Sequence, residues 1–303
     1  MAAVEGLLSQ PPASVPALDI VVDDFELRGR KLGRLQVLAV NRLLPGRAGL
    51  REWQLDKLDL DVPEAQFRGS GRWTAAGARR MVLDFRLALA DSGAFLQRLG
   101  TGDALRGGVG ELQGQLSWVG SPLGFDYPSL EGQLKLNLGA GRFLHADPGG
   151  ARLLGVLSLQ ALPRRLSLDF RDLFQDGFAF DSIEGEVSVA RGVARTSELR
   201  MRGAQATVLM QGSADLLRET QDVRVLVVPN IDASGAALAT MVINPAIGLG
   251  TLFAQWALRE PLIAAGTSEL HITGSWAEPQ VQRIAGPVPP PAPAGSGERR
   301  PPG

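Results

Sequence analysis

His145 and His271 are the only two histidines in the 303-residue sequence, and cysteine is absent. They lie far apart and form no H-E-x-x-H pair, so a zinc or acid/base centre would need carboxylates supplied from elsewhere in the fold. No serine sits in a G-x-S-x-G elbow, and no G-x-x-x-x-G-K-[ST] phosphate loop occurs. Gly107, Gly108 and Gly110 make a glycine-rich run, but it lacks a strand–loop–helix setting and reads as a turn. Asp23 and Asp24, and the triplet Asp56, Asp59 and Asp61, are the acidic clusters. Calcium needs several oxygens turned toward one centre, whereas these spacings read more simply as a solvated strand face. Arg79-Arg80 and Arg164-Arg165 are short basic pairs at strand edges, each an isolated phosphate contact at most. Of Trp53, Trp73, Trp118, Trp256 and Trp276, four sit at strand positions without the surrounding Lys/Arg density of a base-stacking platform, so they read as sheet packing. No nucleophile, base and stabiliser group together. The sequence therefore points away from an enzyme and implies no cofactor or metal.

Composition narrows the partners. Lys+Arg 31 against Asp+Glu 32 leaves a formal net charge of −1, with no long-range attraction to nucleic acid or anionic head groups. The lack of cysteine fits cytosol or periplasm equally. No stretch approaches the roughly 18 uninterrupted apolar residues of a spanning helix, and the N-terminus lacks a basic region followed by a long apolar core. The sequence thus reads either as a cytosolic chain or as part of a longer protein.

The elements that must position any site are mostly strands, because the dominant hydrophobic period is two. Apolar residues alternate with polar ones at Leu18, Ile20 and Val22; at Met81, Leu83, Phe85, Leu87 and Leu89; and at Leu134, Leu136 and Leu138. The same holds for Leu166, Leu168 and Phe170, for Ile183, Val187 and Val189 around Gly185, and for Val223, Val225 and Val227. Trp53 and Leu55 share one phase while Leu58, Leu60 and Val62 share the other, which predicts a bulge near Asp56 and Lys57. Polar flanks such as Asp84, Arg86, Lys135 and Asn137 belong on the opposite, wet face. A weak repeat, GSGRW (69–73), GQLSW (114–118), GSADL (212–216) and GSW (274–276), places glycine where strands bend or approach closely.

Helix signals are few. Asp91-Ser92 caps a short helix through Phe95, Leu96 and Leu99 that Gly100 ends. Asp147-Pro148 opens an apolar helix over 152–162, and Asn244-Pro245 opens another containing Ile247, Leu252, Phe253 and Trp256. Such apolar helices must lie against the sheet, a partner or a membrane interface. The reading is a mainly β protein, an elongated, curled antiparallel sheet with two or three short apolar helices. Its parts are a flexible N-terminus (1–17), a β-rich region (18–284) with helical insertions near 91–100, 147–162 and 236–262, and a disordered Pro-rich tail (285–303).

The segment LPRRLSLDFRDLFQDGFAFDSIEGEVSVARGVARTSELRMRG, followed in order by VVPNID, NPAIGLG, LREPL and ITGSWAEPQV, resembles the C-terminal region of AsmA-like envelope proteins of Gram-negative bacteria, of the YhdP type. The resemblance spans roughly 18–284 and is densest after Gly150. It implies a groove-forming periplasmic sheet, inner-membrane-anchored in the full-length family, that acts as a bridge carrying phospholipid between inner and outer membranes and serves envelope integrity. Acyl chains would line Leu134, Leu136, Leu138, Leu166, Leu168, Phe170, Phe178, Phe180, Val187 and Val189. The helix bearing Ile247, Leu252, Phe253 and Trp256 would gate or dock the groove. Phospholipid acyl chains and an outer-membrane or envelope protein are the implied partners. The family's N-terminal membrane helix and upstream strand array are missing here, so an anchor is expected upstream and the chain reads as a C-terminal portion, a split gene product or a truncated gene model. Before ITGSW, this sequence has Leu270 where the family often carries an aromatic residue. The alternative is a non-enzymatic envelope scaffold or assembly factor in which the same residues form a closed β core.

Overall fold

The computed structural model of the protein describes residues 14–27, 29–43, 51–74, 78–100, 105–122, 124–144, 178–229 and 268–284. The chain first lays down β1 (Leu18–Val22), a small ribbon of β2 (Glu26–Leu27) and β3 (Arg30–Lys31), then β4 (Arg34–Leu43), β5 (Arg51–Val62), β6 (Ala65–Thr74) and β7 (Arg80–Leu89). Helix α1 (Ser92–Arg98) precedes β8 (Leu105–Gly107), β9 (Gly110–Val119), β10 (Glu131–Leu138) and β11 (Gly141–Phe143). Then come β12 (Phe178–Phe180), β13 (Ser182–Ala190), β14 (Val193–Arg202), β15 (Ala206–Asp215) and β16 (Thr220–Pro229), with β17 (Ser268–Ser275) and β18 (Pro279–Ile284) last.

Thirteen of these strands form one open antiparallel sheet in the order β1-β4-β5-β6-β7-β9-β10-β13-β14-β15-β16-β17-β18. The expected mainly β, antiparallel architecture is therefore what forms. The chain adds each strand of this sheet beside its predecessor, leaving the ladder for the β2–β3 ribbon and for β8, β11 and β12, which make a separate three-stranded sheet. Tight turns make this stepwise growth possible. At the β13–β14 hairpin, Ala190 pairs with Val193, and the two loop residues Arg191 and Gly192 both have positive φ, 52° and 72°. That is the twist-matched geometry of a two-residue hairpin, and it favours glycine at the second position.

The expected bulge is present. Leu55 pairs with Gly71 and Leu58 with Gly69, so β5 carries one more residue than β6 between those pairs, at Asp56 and Lys57. A second bulge lies in β14, where Thr196 pairs with Gly212 but Leu199 with Met210. Each extra residue restores the phase of alternation, so apolar side chains before and after it share a face.

Two buried clusters occupy the two ends of the strands on that face. One is built around Trp53, Trp73, Met81, Trp118 and Leu130. Trp73 donates its indole N–H to the Gly120 carbonyl at 2.7 Å and Trp118 to Ser121 at 2.8 Å, so each ring is buried with its polar edge satisfied. Trp53, Trp73 and Trp118 thus pack the sheet, as their surroundings in the sequence indicate, while Trp256 lies outside the described residues. The first described residues belong here too. Val15 is 1% exposed, its carbonyl accepts from the Asn41 amide, and Pro16 accepts from the Trp53 indole at 3.3 Å. Within the stretch expected to be a flexible N-terminus (1–17), this part is anchored.

The second cluster joins Val62, Leu89, Leu138, Ile183, Met201 and Val227 to Leu105, Phe178 and Phe180 of the small sheet, with Phe95 and Leu96 of α1 packed against it. Helix α1 forms as expected, with Asp91 Oδ1 accepting from the Ala94 N–H at 2.9 Å. A fork of hydrogen bonds fastens its far end. Arg98 Nε reaches Glu64 Oε2 at 2.9 Å and Nη2 reaches Oε1 at 2.6 Å, across to the β5–β6 turn. The β15–β16 pair is buried on both faces, because Leu209, Leu226 and Val228 are buried opposite Val208, Val225 and Val227. The apolar helices expected near 147–162 and 236–262, and the strand residues Leu166, Leu168 and Phe170, lie outside the described residues.

Two outcomes follow for stability. A side chain at Gly114 would strike Leu134 Cδ2 at 2.8 Å and the Gln133 carbonyl, so Gly114→Val should destabilise by roughly 2–3 kcal/mol. Gln115→Val, on the opposite face of the same strand, should stay within about 0.5 kcal/mol; urea unfolding midpoints compare them. The Arg98 guanidinium holds the Glu64 carboxyl below its ordinary value of 4.5. A carboxyl with a lowered folded pKa stabilises fully above its unfolded pKa, and that contribution is lost as pH falls through the folded one. Glu64→Gln should therefore lose about 1 kcal/mol at neutral pH, with the gap to the parent protein closing in an acid pH series.

Candidate functional site

Because every neighbour is paired in a known register, the apolar face resolves into rows that cross the strands. One row runs through all thirteen: Leu18, Ala39, Leu55, Gly71, Leu83, Leu116, Gly132, Val189, Ala194, Ala214, Gln221, Gly274 and Pro279. The next row toward the second cluster reads Ile20, Val37, Leu58, Gly69, Phe85, Gly114, Leu134 and Val187. A further one carries Leu60, Phe67, Leu87, Leu112, Leu136, Gly185, Leu199, Met210, Val225 and Leu270. The face is therefore an apolar band running across the strands, from one edge of the sheet toward the other.

Between the buried ends the band is only half-covered. Leu58, Phe67, Phe85, Leu112, Leu116, Leu134, Leu136 and Val187 are all partly exposed, and Phe85 and Leu112 lie outside both buried clusters. Large and absent side chains alternate here. Leu116 stands opposite Gly132 and Leu134 opposite Gly114, and a Cβ on either glycine would lie 2.8 Å from the facing leucine. The leucines lie over the backbone of their neighbours, which keeps the lining low and smooth. Phe67 and Phe85 stack at 5.7 Å between ring centroids with planes 14° apart.

The residues expected to line a groove fall on this face, in two environments. Leu134, Leu136 and Val187 stand in the half-covered middle, while Leu138 and Val189 are buried in the end clusters. Phe178 and Phe180 belong to β12 and are 2% and 1% exposed, so they seal one end of the band. Leu166, Leu168, Phe170, Ile247, Leu252, Phe253 and Trp256 lie outside the described residues. Phe67, Phe85, Leu58 and Leu116 were not singled out from the sequence for this role. Gly69 of the glycine repeat was a partial signal, since it pairs with Leu58 and Phe85 and a Cβ there would lie 3.0 Å from the Phe67 ring.

The polar face carries the chemistry-bearing groups, and they are matched to each other. Asp56 meets Arg42 at 3.3 Å, Asp59 meets Lys57 at 3.3 Å and Arg68 at 3.5 Å, and Asp61 meets Arg68 at 2.6 Å. The acidic triplet is thus spread over cations on a strand face. An open hollow of about 730 Å³ lies here, lined by Lys57, Arg68, Arg86, Lys135, Asp59 and Glu186 among others. Its cations are occupied, Arg86 by Glu111 and Lys135 by Glu186 at 3.6 Å. Arg80 bonds Glu131 and Ser117 at 3.2 and 3.1 Å. His271 Nε2 lies 2.7 Å from Asp222 Oδ1 on the same face; His145 and Arg164-Arg165 lie outside the described residues. Asp215 has its carboxyl lowered by the Arg218 and Leu217 backbone N–H groups and the Arg218 side chain, which makes it a turn-former. Among the described residues no group of three or more His, Asp or Glu could hold a metal, and no helix is long and apolar enough to cross a membrane. The arrangement on the apolar face can accommodate hydrocarbon; the polar face supplies solvation and ion pairing.

Comparison with known proteins agrees with the geometry. A family model described as YhdP protein matches residues 4–281. The chain is 29% identical over 227 residues, 74% of its length, to the "Intermembrane phospholipid transporter YhdP" of Escherichia coli (strain K12). It spans 18% of the length of that relative. No solved structure matches it. With the family model covering nearly the whole strand array, the chain belongs to the YhdP family.

Proposed function

We propose that this chain forms part of a bridge-like periplasmic protein that moves phospholipid between the inner and outer membranes, with acyl chains resting on the apolar band. The observation that carries this reading is the continuity of the apolar rows, which stay on one face from strand to strand and leave a half-covered middle between the buried clusters. A closed core needs apolar residues only where layers meet. An acyl chain in transit needs a surface that is apolar nearly throughout, because each buried polar group left unpaired costs about 1–3 kcal/mol. The half-covered Phe85, Leu112 and Leu134 lie along that surface, and the name of the E. coli relative supplies the class of cargo. In this reading the protein is inner-membrane-anchored through an upstream segment of a longer protein, and the sealed cluster around Phe178 and Phe180 closes one side of the path. No chemical step is required. Transfer proceeds by exchange of one apolar environment for another, with little net cost per methylene.

A photo-crosslinking residue placed at Leu134, Phe85 or Leu136 should form phospholipid adducts in cells, while the same residue at Gln113 or Gln133 on the polar face should not. Equal labelling on the two faces, or none on the apolar one in a folded protein, would sink the conduit and leave the closed-core scaffold.

A further inference from the structure

One side chain in the row that crosses the whole sheet breaks its character. From Leu18 to Pro279 every member is Leu, Ala, Gly, Val or Pro except Gln221 on β16. Gln221 is 5% exposed, and neither Oε1 nor Nε2 of its amide has a hydrogen-bond partner. Its register neighbours are Ala214 on one side and Gly274 on the other, so no large side chain stands beside it in the row. A second orphaned donor lies next along the ladder. Trp276, whose backbone N–H is held by the Glu219 carbonyl at 2.8 Å, has an indole Nε1–H closed off from solvent without an acceptor. Buried amides and indoles are ordinarily paired, so two unpaired donors at one end of an apolar band call for a ligand that completes them.

We infer that Gln221, with Trp276, is a polar station at the β16–β18 end of the band that receives an ester carbonyl of a diacyl phospholipid. The inference rests on the conduit reading above and adds to it a site and a chemical specificity. The unmet groups are mainly donors, two N–H on the glutamine amide and one on the indole. A phospholipid whose chains lie on the apolar band carries its ester carbonyls, which are acceptors without donors, at the boundary between hydrocarbon and headgroup. An acyl chain alone offers nothing to these groups. The match is therefore to the glycerol–ester region, and it would set where along the band a lipid halts with its chains still covered.

The test uses the full 303-residue chain incubated with vesicles containing equimolar dioleoyl phosphatidylethanolamine and its ether-linked analogue, which has the same tails and headgroup but no carbonyl. Protein is separated from vesicles, and the two retained lipids are measured by mass spectrometry. The wild-type chain should retain the ester lipid about fivefold over the ether, the worth of roughly one hydrogen bond. Gln221→Met, close in shape and without the amide, should abolish that preference and melt no lower than the parent. Trp276→Phe should reduce the preference, and it decides the matter if the methionine variant fails to fold. Equal retention of both lipids by the wild-type chain overturns the station but leaves the conduit standing; retention of neither overturns the conduit as well. Preference unchanged in Gln221→Met, or a loss of melting temperature without change in lipid selection, assigns the amide to structure and overturns the inference. Displacement of the ester lipid by free oleate would reassign the site to a carboxylate, and overturns it too.

Discussion

The whole sheet depends on a single alternation kept in phase across thirteen strands. Side chains alternate with period two, so a slip of one residue in any ladder would turn that strand's apolar set to the polar face and bring its charges onto the band. The two bulges show how strictly this phase is kept. Without the extra residue at Asp56 and Lys57, Trp53 and Leu55 could not share a face with Leu58 and Leu60, and the rows would break at β5. The bulge in β14 does the same between Ala194 and Leu199. Once phase is held, the hydrophobic effect acts on one continuous surface, and the charged residues are left on the other, where they find each other as Asp59, Arg68 and Lys57 do.

The same constraint explains the glycines. A flat array of leucines on every strand would stack side chains of equal height and leave gaps between them. Alternating Leu134 against Gly114, and Leu116 against Gly132, lets each large group lie across the neighbouring backbone. Among the described residues, packing in the middle of the band is thereby satisfied largely within the sheet itself. That is why the middle of the band stays half-covered while its two ends, closed by the tryptophans and by the small sheet with α1, do not. A sheet that packs against itself in this way can present an apolar surface and still be stable as an open array.

Much of this was legible in the residues. Strict alternation at Met81 to Leu89 and at Leu134 to Leu138 assigned those side chains to one face, and the change of phase after Leu55 located a bulge that the pairing confirms. Asp91 announced α1 through its cap. These features are local: each follows from a few consecutive residues and the period of a strand or helix. The docking of Val15 and Pro16 was not legible, because a Pro-Ala-Ser-rich segment carries no period and its anchors, Asn41 and Trp53, are distant in sequence. Nor was the departure of β8, β11 and β12 into their own sheet, since three-residue strands give too short a pattern to read. Phe178 and Phe180, two residues apart, look like any groove-lining pair and are buried only because that small sheet folds over the end of the band.

By itself the sequence determined that the protein is an antiparallel sheet with one apolar and one polar face, because alternation needs no knowledge of neighbours. It also carried the family likeness in its ordered motifs. Only the tertiary structure decided which residues meet across strands. The order of strands turned separate alternations into rows, placed each glycine beside the leucine that covers it, and divided the apolar face into sealed ends and a half-covered middle. It also showed Gln221 to be a buried amide in a row otherwise made of hydrocarbon and backbone. In the sequence that glutamine reads as a polar residue beginning a strand. Its setting depends on pairings with Ala214 and Gly274, and hydrogen-bond partners are a property of contacts, which no local period encodes.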